Sequence, residues 1–178
     1  MHVRYRYSLA LPAVAALFGA PAFSAGLGVS IEVPRLNTAE YHRPYVAAWI
    51  ERADNTVAST AAVWYDTRVT NNPEGEGTKW LKDLRQWWRR TGRELQMPMD
   101  GVSGATKPAG KHAINLSEGS AALPKLAPGA YKFVVEAARE VGGREVVTVP
   151  FQWPPTQAQQ LSAAGSTELG EIKLELKP

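Results

Sequence analysis

From Leu27 onward the chain alternates apolar and polar residues in short runs, broken by Gly, Pro, Asn and Asp. Leu27-Gly-Val-Ser-Ile-Glu-Val33 has an apolar residue at every second position, the period of a strand with one face in a core. Tyr45 to Arg52 and Val57 to Tyr65 are β-rich runs joined by the turn Ala53-Asp-Asn55. They predict a hairpin whose Trp49, Ile50, Val63 and Trp64 supply core surface. Four more strands are predicted over Lys111–Leu116, Ala130–Ala137, Glu145–Trp153 and Gly170–Leu176, with Val141-Gly-Gly-Arg144 closing a second hairpin. Leu126-Ala-Pro-Gly-Ala-Tyr131 forms a turn and puts Tyr131 where sandwich domains tie a strand to the preceding corner.

One segment has a different period. Trp80, Leu81, Leu84, Trp87 and Trp88 recur at helical spacing, with Lys82, Asp83, Arg85 and Arg89 on the other side. This predicts one amphipathic helix, capped by Thr78 and ending near Gly92. Asp66 to Thr78 contains Asn71-Asn-Pro-Glu-Gly-Glu-Gly77 and reads as an exposed loop whose acidic residues miss the spacing of a calcium site. Gln157 to Gly165 reads as a polar loop before the last strand. Seven strands and an inserted helix predict an all-β protein, an immunoglobulin-like antiparallel β-sandwich, forming a single domain over residues 26–178.

The first 25 residues follow another logic. Arg4 and Arg6, the apolar run Leu9 to Phe18 and the small-residue exit Ala20-Pro-Ala-Phe-Ser-Ala25 have the make-up of a secretory signal peptide. That run is too short for a permanent membrane helix, so the expected mature protein is periplasmic and does not span a membrane. Losing Arg4 and Arg6 leaves 18 basic and 17 acidic residues, so the whole-chain charge of +3 is no argument for nucleic acid. The chain has no cysteine, which excludes thiolate chemistry and disulfides. His42 and His112 lack metal-ligand spacing, and no metal is expected.

Chemistry concentrates in the predicted loop 99–108. Within it, Asp100-Gly-Val-Ser-Gly-Ala-Thr106 combines two glycines, small side chains and a terminal hydroxyl. Gly101 and Gly104 can take positive φ, Asp100 can fix the turn through backbone hydrogen bonds, and Ala105 leaves little bulk beside Thr106. Phosphoryl transfer to an alcohol needs an unhindered hydroxyl of this kind.

The run resembles the motif read by FAD:protein FMN transferase in flavin-bearing subunits of sodium-translocating NADH:quinone reductase and related complexes. That resemblance implies FMN joined through a phosphoester to Thr106, with Asp100, Gly101, Ser103, Gly104 and Ala105 as recognition residues. Signal peptide, strand pattern, motif and Leu-x-Pro-Gly-x-Tyr together resemble the periplasmic family known as domain of unknown function 2271. Membership implies the transferase and a membrane-bound redox partner, such as a PepSY-type protein, as partners. The expected role is an electron carrier rather than a stand-alone catalyst. Near the motif in sequence, Trp80, Trp87 and Trp88 are candidates to stack on the flavin ring, and Arg93, Lys107 and Lys111 to offset the phosphoester charge. The alternative is a cofactor-free β-sandwich binding module. A hydrolase using Ser103 or Thr106 finds no nucleophile elbow and no histidine in a recognisable setting.

Overall fold

The computed structural model describes residues 25–68 and 77–178. The expected signal segment, apart from Ala25, and residues 69–76 of the expected loop lie outside the described residues.

The alternation at Leu27 becomes β1 (Gly26–Val33), whose Leu27, Val29, Ile31 and Val33 are buried. β1 pairs with β5 (Gly110–Ser117) on one side and β9 (Glu171–Lys177) on the other, and β8 (Gln159–Ala164) continues from β9. The second sheet has the order β4-β3-β2-β6-β7, from β2 (Tyr45–Arg52), β3 (Val57–Tyr65), β4 (Ser103–Ala105), β6 (Gly129–Ala138) and β7 (Arg144–Trp153). The two sheets form the expected all-β sandwich. Tyr131 closes its corner as expected, its hydroxyl donating to the Ala127 carbonyl at 2.8 Å.

In β2, β3 and β6 both faces are buried, so this sheet is covered twice. The first sheet covers one face. On the other lie a 3-10 turn over Gly77–Asp83, a short helix α1 (Arg85–Arg90) and a second 3-10 turn over Gly92–Glu94. Leu81, Leu84 and Trp87 bury this layer into the common core.

Three expectations change. The single helix from Thr78 to Gly92 is three short pieces. At its break Leu84, itself fully buried, takes φ −74° and ψ 69° and gives α1 no side-chain cap. The cap comes instead from Glu136 on β6, whose carboxylate accepts from the N–H groups of Gln86 (3.0 Å) and Trp87 (2.8 Å). Second, the described residues form nine strands rather than seven. Gln159–Ala164 pairs with β9 along its length, because its alternate residues reach a sheet edge and the polar ones face water. Third, the motif is not wholly loop: Ser103–Ala105 adds an edge strand parallel to β3.

Candidate functional site

The motif begins with a tight turn. Val102 and Ser103 N–H groups both donate to the Met99 carbonyl, and Gly101 sits at φ +69°, where a side chain would be strained. The Ser103 hydroxyl accepts from the Met99 N–H at 2.8 Å and closes the turn. Asp100 was expected to do this. It is exposed instead, and among the described residues its carboxylate takes no hydrogen bond.

The chain then runs beside β3, pairing Val63 with Ser103, Trp64 with Gly104 and Tyr65 with Ala105. The Thr106 N–H donates to the Tyr65 carbonyl at 3.1 Å, which fixes the backbone where β4 ends. The Thr106 side chain is half-buried, and its hydroxyl makes no hydrogen bond with a described residue.

Strand pairing continues this position across the whole sheet. Ala105 pairs with Tyr65, and the next pair inward, Trp64 with Val46, sets Tyr65 beside Tyr45. Tyr45 pairs with Ala138, and Ala138 with Arg144. The row Ala105, Tyr65, Tyr45, Ala138, Arg144 lies on one face, the face that α1 covers farther along. At 4.7–4.9 Å per strand it is about 19 Å long. The helical layer stops short of it, and a cavity of about 910 Å³ opens there, with Thr106 at one end and Arg144 at the other.

The cavity walls are aromatic and rich in guanidinium. Tyr45 and Tyr65 meet edge to face at 6.4 Å, and Trp80, 47% exposed, stands on the rim. Lys79 and Lys82 lie 4.9 and 5.8 Å from the Trp80 ring centre. Arg43, Arg68, Arg85, Arg139 and Arg144 all contribute to the wall. Two are held from behind, Arg144 by Glu136 at 2.7 Å and Arg139 by both oxygens of Glu168, while Arg68 pairs with Asp66 within the wall. The Asp66 carboxyl is held below its ordinary range by the Arg68 hydrogen bond. Burial pushes the Tyr45 phenol above its ordinary range.

A family model described as predicted periplasmic protein (DUF2271) matches residues 26–171. The chain belongs to that family. This DUF2271 member is a periplasmic protein, and the match includes every residue of the cavity wall. No helix among its described residues is long and apolar enough to cross a membrane. No curated protein and no solved structure matches it.

The residues singled out from sequence are distributed unevenly in this DUF2271 protein. Thr106, Ala105 and Trp80 meet at the cavity. Trp87 does not: it is fully buried, its indole N–H donating to the Thr60 hydroxyl at 3.3 Å. Withdrawing such a side chain from a core costs about 3–5 kcal/mol, more than a stacking contact returns. Trp88 packs half-buried against the core and tilts on Trp87. Arg93, Lys107 and Lys111 also lie off the cavity. Arg93 is beside Glu94, the Lys107 ammonium stands 5.5 Å over the Trp64 ring, and Lys111 pairs with Glu171 at 3.3 Å. For the tryptophans nearness in sequence misleads, because Trp80 and Trp87 lie on different pieces of the helical layer, one on the rim and one in the core. Sequence reading placed Arg85 on the basic side of the helix, and it gave no site role to Tyr45, Tyr65, Arg43, Arg68, Arg139 and Arg144. Their only common signal is that they sit at or within a few residues of strand ends, which becomes a shared location once the strand order is known.

Proposed function

We propose that this DUF2271 protein carries FMN in phosphoester linkage to Thr106 and works as a periplasmic electron carrier. The observation that carries this reading is the setting of Thr106. Its backbone is fixed by the edge strand, while its hydroxyl is unengaged by described residues and stands on the wall of the 910 Å³ cavity.

The rest of the motif supports it by elimination. Gly101 and Ser103 have reasons within the fold, as the turn shows. Gly104 has none: a Cβ there would lie 3.5 Å from the Trp64 ring, an ordinary contact, and its φ is not positive. Asp100 and Ala105 are exposed. Requirements that this chain's folding does not impose fit a motif read by another protein, and FAD:protein FMN transferase is the reader that the motif's resemblance implies.

In the attachment step the Thr106 oxygen bonds to the FMN-side phosphorus of FAD and the diphosphate bond breaks. AMP leaves with the electron pair, and the hydroxyl proton passes to solvent through the transferase. FMN, once attached, supplies one- and two-electron chemistry. Thr106 keeps it from being lost outside the cytoplasm, and β4 fixes the tether point relative to the sheet. The electrons come from a membrane-bound redox partner, for which a PepSY-type protein is the proposed class, and go to a periplasmic acceptor.

Coexpression of the exported chain with the transferase, followed by intact-mass measurement, tests this. Wild type is expected to gain the mass of one FMN and Thr106→Ala none. Gly104→Ala is expected to fold with an unchanged urea midpoint yet lose the modification. No mass gain on wild type overturns the reading.

A further inference from the structure

We propose that the cavity over the row from Ala105 to Arg144 is the seat of the isoalloxazine ring, an inference that rests on FMN attachment at Thr106. Size and position agree. Ligand cavities range over roughly 300–1,000 Å³, and this one holds about 910 Å³. The tether point lies at one end of a row about 19 Å long, so the ribityl chain leads from Thr106 toward the Tyr65 and Tyr45 rings.

The charge balance indicates what the cavity recognises. Five arginines line it, but Asp66, Asp83 and Glu140 line it too, and Glu136 and Glu168 sit directly behind Arg144 and Arg139. Charges nearly cancel, so the site has no strong field to draw in a free polyanion. What remains includes the Arg139 and Arg144 guanidiniums, oriented by Glu168 and Glu136 behind them. Arg139 is 93% buried at its side chain, and its Nη1 finds no acceptor among the described residues. Aromatic faces beside fixed donors suit an uncharged, planar heterocycle edged with carbonyl oxygens. The isoalloxazine ring is such a group, and the single negative charge of its phosphodiester stays at the tether.

Tethering also sets how strong the seat must be. A short linker presents its ligand at an effective concentration on the order of 1 mM. A cavity with a dissociation constant of about 1 mM for the ring would therefore hold the tethered flavin half the time. The same cavity would leave micromolar free FMN unbound.

The test uses the mature chain loaded with FMN by the transferase, read by flavin fluorescence and visible circular dichroism. Trp80→Ala and Arg85→Glu alter exposed wall residues outside the motif, so loading and folding persist. Wild type is expected to fluoresce at about half the intensity of free FMN or less and to show an induced dichroic band. Both signals are expected to return toward those of free FMN in the two variants while the mass gain stays. A loaded wild type as bright as free FMN, or quenching untouched by both variants, overturns the seat and leaves the attachment standing. If wild type never loads, the attachment reading fails separately. Saturation-transfer NMR of millimolar FMN with the unloaded chain then decides the seat: transfer to ring protons that Trp80→Ala abolishes supports it, and no transfer overturns it.

Discussion

Glu145→Gln removes one negative charge from a site where four backbone N–H groups converge. The Glu145 carboxylate accepts from Ser166 (2.6 Å), Thr167 (3.0 Å), Glu168 (2.8 Å) and Leu169 (2.8 Å), and from the Ser166 hydroxyl (3.1 Å). Partial burial pushes its pKa up, but the donors of Ser166, Leu169 and Thr167 together outweigh burial and bring it from 4.5 down to about 2. A carboxylate depressed on folding stabilises the fold above its unfolded pKa and loses that contribution as pH falls through its folded pKa. The window here runs from about pH 4.5 to about pH 2. At 1.36 kcal/mol per pH unit the difference is worth about 3 kcal/mol. Urea unfolding followed by tryptophan fluorescence, from pH 7 to pH 2.5 at fixed ionic strength, measures it. The glutamine variant is expected to be about 2–3 kcal/mol less stable at pH 7, with the gap closing toward pH 2.5. Asp54, Asp66 and Glu171 are also depressed, but both proteins share them and they cancel in the difference. A gap that stays constant across the window, or one below about 0.5 kcal/mol at pH 7, would refute the reasoning.

Two other perturbations probe the framework of the cavity. Glu136→Ala uncaps α1 and frees Arg144, so it is expected to cost about 3–5 kcal/mol in urea unfolding at constant m-value. A loss under 1 kcal/mol would mean that α1 does not depend on this cap. Gly77→Ala would put a Cβ 2.1 Å from the Asp66 carbonyl oxygen and 2.8 Å from the Tyr45 hydroxyl. The backbone must move, and a cost of about 1–3 kcal/mol is expected in the same assay. Gly104→Ala serves as the control that stays within about 0.5 kcal/mol.

The strands that alternate or carry long β-branched runs were legible in the sequence, several of them to the residue. β2 and β3 coincide with the predicted runs because both faces of their sheet are buried and nearly every side chain is apolar. β8 was not legible because an edge strand with one wet face can be written in Gln, Ser and Ala. β4 was hidden by its composition: Ser103, Gly104 and Ala105 are small residues that read as loop, and only pairing with β3 makes them a strand. The helix was legible in period but not in continuity, since its cap lies 49 residues away from Trp87 on another strand. Thr106 could be named from its motif, whereas the cavity wall could not. Tyr45, Tyr65, Arg85 and Arg144 meet only through sheet order, which periodicity along the chain does not encode.

The β6–β7 hairpin and the loop packed on it orient part of the wall through folding contacts alone. Three carboxylates on or against it do separate jobs. Glu136 is fully buried and joins Arg144 to the start of α1, so the donor at the far end of the row and the helical layer beside the cavity share one anchor. Glu168 holds the Arg139 guanidinium through two bonds and also accepts from the Gly143 N–H, which ties the hairpin turn to the same pair. Glu145 gathers the N–H groups of residues 166–169 and thereby positions Glu168. The Arg139 and Arg144 guanidiniums therefore have their orientation paid for by folding rather than by binding. A ligand entering such a site meets donors that are already ordered, which reduces the entropy lost on binding. This arrangement suits the proposed FMN at the opposite end of the row, whose ring would dock without the chain rearranging around it.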